Sequence, residues 1–248
     1  ASLDQAIEGI IEGIYFNQGH VCCAGSRLLV QESVLEAVIA KLTIRMKSLR
    51  VGDPLDKNTD IGAINSRAQL KTISHYLDAG VNEGAELHIG GSCTTNENET
   101  GNGNGNGNEN KNGKLQDSNP ADSTRNATNC YPQGYWCRPS FFTGVQPSHT
   151  VAREEIFGPV LTVIKATDFA ETLKIANDSP YGLAGGVWSA SDERAMAVAR
   201  RMRTGAVDVN GGSFNIAAPF GGYKQSGYGR ENGPYGIEEF LQTKSLQL

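Results

Sequence analysis

The chain lacks any apolar run approaching the roughly 20 residues needed to cross a bilayer. Its first stretch, ASLDQAIEGIIEG, has no basic region ahead of an apolar core, so neither a secretory leader nor a membrane partner is expected. Positive charge is not in excess: 22 Lys and Arg stand against 27 Asp and Glu, a net charge of −5, which argues against nucleic acid as a partner. Cysteine is scarce. There are five, an odd number with two adjacent, and this is not a disulfide framework. A reducing, cytoplasmic setting is the simpler expectation. The four histidines are scattered, and no Cys/His spacing fits a zinc site, so no metal is expected.

A phosphate-binding glycine pattern is also missing. The repeat GNGNGNGN at 101–108 places Asn wherever a dinucleotide or P-loop pattern needs its later glycine. It belongs to a stretch at about 94–129 rich in Asn, Gly, Thr, Ser and Glu, with Leu115 as its only large apolar residue. Such a composition buries too little surface to offset its ordering entropy, and a disordered surface insertion is expected. Cys93 and Cys130 flank it and could staple it under oxidising conditions.

The remaining residues are patterned. Ser2 and Gln5 form a helix start, and Leu3, Ile7, Ile10, Ile11 and Ile14 recur at helical spacing. RLLVQ at 27–31 reads as a buried strand, and Val34 to Leu49 and Ala68 to Glu83 read as helices. LHIGG follows as a strand. After the insertion come PVLTVI (strand), 169–176 (helix capped by Asp168), GGVWSA (strand), 192–202 (helix), AVDVN (strand), a short helix near 235–241 and a terminal strand, TKSLQL. This alternation predicts an α/β layered fold, a largely parallel sheet flanked by helices. An opening helix with no strand or turn before it suggests that further chain lies upstream.

The chemistry is concentrated in FNQGHVCCAGSR at 16–27. Small neighbours let a substrate approach Cys22 or Cys23, and backbone N–H groups of such a loop favour the thiolate. Two small buried cysteines would satisfy the same spacing. His20 is the nearest base, but no third orienting group follows from the sequence.

FNQGHVCCAGSRLLV (16–30), EEIFGPVLTV (154–163) and FGGYKQSGYGRE (220–231) strongly resemble, in order, three signatures of the aldehyde dehydrogenase superfamily. VGDPLDKNTDIGAINS, NDSPYGLAGGVWS and GAVDVNGG resemble further blocks of it. The resemblance implies a catalytic domain over 1–248, interrupted by the insertion, with 243–248 as a strand used in oligomerisation. It implies Cys22 as the nucleophile toward an aldehyde substrate, through a thiohemiacetal and a thioester, with the Cys22 N–H as an oxyanion donor. It implies NAD or NADP as cofactor, with Glu155 and Phe157 beside the nicotinamide ribose and ring. Lys224 is expected to be structural. His20 stands where the family usually has Gln or Glu. The family's dinucleotide-binding domain, which precedes this region, is not in the sequence, so a homo-oligomer or pairing with such a domain is expected, and the chain alone should be impaired. A non-enzymatic relative and a cysteine-dependent esterase are the alternatives.

Overall fold

The computed structural model describes residues 1–96 and 134–248. Helix α1, Leu3–Tyr15, begins where Ser2 Oγ accepts the Gln5 N–H, the cap expected from the sequence. A 3₁₀ turn over Phe16–Gly19 leads to the cysteine loop and strand β1, Arg27–Gln31. Helices α2, Leu35–Lys47, and α3, Arg67–Asn82, precede strands β2, Glu86–Ile89, and β3, Cys93–Asn96. The described chain resumes with β4, Gly134–Cys137, β5, Ser140–Thr143, and the one-turn helix α4, Thr150–Arg153. Then follow β6, Val160–Ala166, α5, Phe169–Asn177, β7, Ala184–Val187, α6, Asp192–Ala199, β8, Ala206–Val209, and α7, Gly233–Glu238.

The main sheet has the order β1-β6-β5-β2. β6 runs parallel to both β1 and β5, and β2 closes the edge antiparallel to β5. β7 and β8 form a separate parallel pair, and β3 and β4 an antiparallel one. The α/β, mostly parallel architecture expected from the sequence is therefore present.

Strand β6 shows why helices must cover both faces. Successive strand side chains point to opposite sides. Leu161 and Val163 pack with Ile7, Ile11 and Ile14 of α1 and Val38, Leu42 and Met46 of α2. Val160, Ile164 and Ala166 pack instead with Leu70, Ile73 and Leu77 of α3 and Ile175 of α5. Phe141 and Phe142 of β5 divide the same way, one ring into each layer. Tyr15 ends α1 inside the core, its hydroxyl donating to the Ser140 carbonyl at 2.9 Å.

Three expectations need correction or limits. Residues 94–96, placed in the insertion by composition, are the rungs of β3, because Thr94 and Thr95 pair with Trp136 and Tyr135. The rest of the insertion, with Cys130 and the GNGNGNGN repeat, lies outside the described residues. Residues 243–248, expected as a strand, carry no regular structure and lie exposed in the single chain. A strand needs a partner edge, and among the described residues they pair with none. No helix among the described residues is long and apolar enough to cross a membrane.

Candidate active site

The cysteine loop is shaped by three consecutive left-handed residues, Asn17, Gln18 and Gly19, with φ of 48°, 58° and 73°. Only glycine takes this conformation without cost, so the two preceding residues need support. It comes from side chains. Asn17 Nδ2 donates to the His20 carbonyl at 3.1 Å. The Gln18 amide clips onto the chain at 62–63, accepting the Gly62 N–H and donating to the Ala63 carbonyl, both at 3.2 Å. Gly19 has a second reason to be glycine: a Cβ there would lie 2.2 Å from the Gly158 carbonyl oxygen. The cysteine loop and the EEIFGPV segment thus meet backbone to backbone.

Cys22 and Cys23 occupy the middle of a tight turn closed by the Ala24 N–H donating to the Val21 carbonyl at 3.0 Å. The turn is pinned to the end of α1 by the Gly25 N–H, which donates to the Gly13 carbonyl at 2.9 Å. Both cysteines are exposed and free. The two small buried residues that the spacing also allowed are not what forms. The Cys22 N–H has no hydrogen-bond partner among the described residues. Cys23 differs: its sulfur is partly covered, and burial, then the neighbouring Cys22, push its thiol up. The Asp208 carboxylate on β8 adds to that push. Burial raises Asp208 itself.

Phe157 is one of the strained residues of the chain, with φ of 55°, and the residue is 36% exposed. Its carbonyl oxygen is held from two sides, by Gln69 Nε2 of α3 at 3.0 Å and by His20 Nδ1 at 2.8 Å. A carbonyl only accepts, so His20 Nδ1 carries the proton and, in the neutral ring, Nε2 is the basic nitrogen. The His20 ring also stacks on Phe157, centroids 5.6 Å apart and 18° from parallel. Glu155 is exposed two residues earlier, and Glu154 accepts the Tyr76 hydroxyl at 2.8 Å.

The structure therefore brings Cys22 and Phe157 onto two loops joined through Gly19–Gly158 and His20–Phe157, with Glu155 exposed on the second. Lys224 stands apart. Its ammonium donates to the Asn177 and Ser179 carbonyls, at 2.9 and 3.0 Å, where α5 ends. Arg27 Nη2 donates to Ile175 O at 2.6 Å at the same helix end. Cations there oppose the negative end of the helix dipole. Gln69, Gln18 and Asp208 were not singled out in the sequence. Gln69 is one polar residue on an ordinary helix face, and nothing local marks it. Among the described residues no group of three or more His, Cys, Asp or Glu is placed to hold a metal ion.

The family model for the aldehyde dehydrogenases matches residues 1–106 and 117–246. A Staphylococcus saprophyticus protein named for that activity is 38% identical over 246 residues, which is 99% of this chain and 45% of the relative. Among solved structures, an NAD-dependent aldehyde dehydrogenase from Sinorhizobium meliloti is 36% identical, with a TM-score of 0.81 over 98% of this chain and 42% of that one. An aldehyde dehydrogenase from Mycobacterium tuberculosis, solved with NAD⁺, is 34% identical, with a TM-score of 0.81 over 100% of this chain and 44% of that one. The chain spans less than half the length of the relatives it matches.

Proposed function

Because the chain belongs to the aldehyde dehydrogenase family, we propose that it is the cysteine-bearing part of an enzyme that oxidises an aldehyde to a carboxylic acid with a nicotinamide cofactor, and that Cys22 is the nucleophile. The observation that supports this most is the exposed turn at Cys22–Cys23, with a free N–H at Cys22 and a rigid aromatic platform on the adjoining loop.

The chain's own residues divide the work. The Cys22 sulfur, as thiolate, bonds to the aldehyde carbon, and the carbonyl π pair moves to oxygen. The Cys22 N–H donates to that oxyanion. Bound NAD or NADP supplies the acceptor for the hydride that leaves the carbon, which becomes a Cys22 thioester. Water then replaces sulfur at the acyl carbon, releasing the acid and the thiol. Phe157 and Glu155 fit the nicotinamide end of such a cofactor: one offers an exposed ring on a fixed backbone, the other an exposed carboxylate for ribose hydroxyls. Cys23, held as the neutral thiol, is the poorer nucleophile. We expect the chain to form a homo-oligomer or to pair with a dinucleotide-binding domain.

The test separates acylation from oxidation. The folded chain alone is treated with p-nitrophenyl acetate, and the acetyl group is located by fragmentation of the peptide holding both cysteines. We expect it on Cys22, absent from Cys22→Ala and retained by Cys23→Ala. Supplied with NAD⁺, an aldehyde and a dinucleotide-binding domain taken from a relative, Cys22→Ala should form NADH at least about 10³-fold more slowly than the unmodified chain. Acetylation of Cys23 alone, or equal NADH formation by Cys22→Ala, overturns the assignment.

A further inference from the structure

Away from the cysteine loop, Cys93 and Cys137 face each other directly across β3 and β4, as register partners. Their sulfurs are 2.9 Å apart, and both are free thiols. Cys137 is buried, 1% exposed, in the core layer formed by Ile64, Leu70, Ile73 and Phe142. Cys93 is only partly buried and packs onto that layer from outside. The strands that carry them are anchored on either side. The Tyr135 carbonyl accepts the Ile64 N–H at 2.8 Å, and the Ser92 carbonyl accepts the Arg138 N–H at 3.0 Å.

Directly paired residues of antiparallel strands have Cα atoms roughly 4.5–5.5 Å apart, which is inside the range that a disulfide spans. Closure here needs no backbone rearrangement, only a small further approach of two sulfurs already in contact. The loop that it would seal runs from residue 93 to residue 137 and contains the whole 97–133 segment.

We propose that Cys93 and Cys137 are a redox-responsive pair that closes as a disulfide across the β3–β4 ladder, tying β3 to the core layer that holds Cys137. The oxidant class is a small-molecule disulfide, with glutathione disulfide as the simplest member. Cys93, the accessible thiol, reacts first. Its thiolate attacks one sulfur of the oxidant, the S–S bond breaks, and one glutathione leaves and takes up a proton. Cys137 then attacks Cys93 Sγ, the mixed disulfide breaks, and a second glutathione leaves with the Cys137 proton. Two protein thiols are oxidised and one glutathione disulfide is reduced to two thiols. The order is set by environment. The hydrogen bond with Cys93, then burial, push the Cys137 thiol strongly up, so it is a poor first attacker, but it needs only to reach a neighbour already activated.

This pairing differs from a Cys93–Cys130 staple, which the sequence alone also allows, and it does not depend on the role of Cys22. The test uses the whole folded chain in glutathione disulfide at mildly alkaline pH, followed by alkylation of remaining thiols under denaturing conditions. Cys130 and Cys137 share the tryptic peptide 126–153, because Arg138 precedes Pro139, so a second cleavage by chymotrypsin after Tyr135 or Trp136 separates them. We expect Cys93 and Cys137 to lose both alkyl labels together and to appear as one cross-linked, dithiothreitol-sensitive peptide pair, in the unmodified chain and equally in Cys130→Ser. Full alkylation of both after exposure, whatever happens at Cys22 and Cys23, overturns the proposal. So does a cross-link from either of them to Cys130 in place of the expected pair.

Discussion

His20 and Phe157 are joined twice: ring over ring at 5.6 Å, and through a 2.8 Å hydrogen bond from His20 Nδ1 to the Phe157 carbonyl. One side chain from the cysteine loop therefore fixes both the backbone and the ring of the neighbouring loop. His20→Ala removes stack and donor together, while Gln69 still serves the carbonyl. Unfolding should be easier by about 0.5–1.5 kcal/mol, and Cys22 acylation slower. His20→Phe keeps a ring without the donor and should fall between, read by denaturant titration and by acetylation rate.

Gly19 tests the backbone junction. A Cβ there meets the Gly158 oxygen at 2.2 Å, on a residue with φ of 73°. Gly19→Ala should cost about 2 kcal/mol or more and abolish acylation of Cys22. Gly13→Ala is the control. It sits in α1 with no heavy atom of a neighbouring segment within 4 Å of the added Cβ. That change should be neutral or stabilising by up to about 1 kcal/mol, because alanine loses less backbone entropy in a helix.

Tyr15→Phe asks what one buried hydroxyl contributes. The ring remains, but the Ser140 carbonyl loses its 2.9 Å donor inside the core. That carbonyl stays in the β5–β6 ladder, so one hydrogen bond is lost and no acceptor is orphaned. The cost should be about 0.5–1.5 kcal/mol, and the midpoint of denaturant unfolding should drop accordingly with an unchanged slope.

Tyr76 gives a pH signature. Burial, then the hydrogen bond to Glu154, push its hydroxyl up to about 12. A value raised in the folded state means that the neutral phenol is favoured there. The contribution is complete below the unfolded value near 10 and is lost as pH climbs toward 12. The stability of the unmodified chain minus that of Tyr76→Phe should be constant below pH 9 and shrink across pH 10–12. Tyr76 is partly solvated, so the change is a fraction of what the shift alone implies.

Much of the architecture was legible because its signals are local. Ser2 capping α1, Asp168 capping α5, and the apolar spacing of α1, α2 and α3 follow from adjacent residues. β4 and β5 were harder to read. GYWC and SFFT are four-residue runs, too short for alternation to show, and both are defined by partners far along the chain. The site divides the same way. Cys22, Glu155 and Phe157 stood out through long motifs, whereas Gln69 holds the Ile156 and Phe157 carbonyls from a helix 87 and 88 positions away. The Cys93–Cys137 pairing could not be read because composition assigned all of β3 after Cys93 to the insertion.

The β3–β4 ladder has a practical consequence. Its last rung pairs Asn96 with Gly134, so the polypeptide departs and returns at neighbouring positions, roughly 5 Å apart. Chain spliced between them enters and leaves at one place, and each doubling of its length adds only about 0.6 kcal/mol of closure entropy. That port will take a grafted reporter domain whose own ends lie close together, giving a fluorescent version of the protein with the thiol turn at Cys22 unaltered.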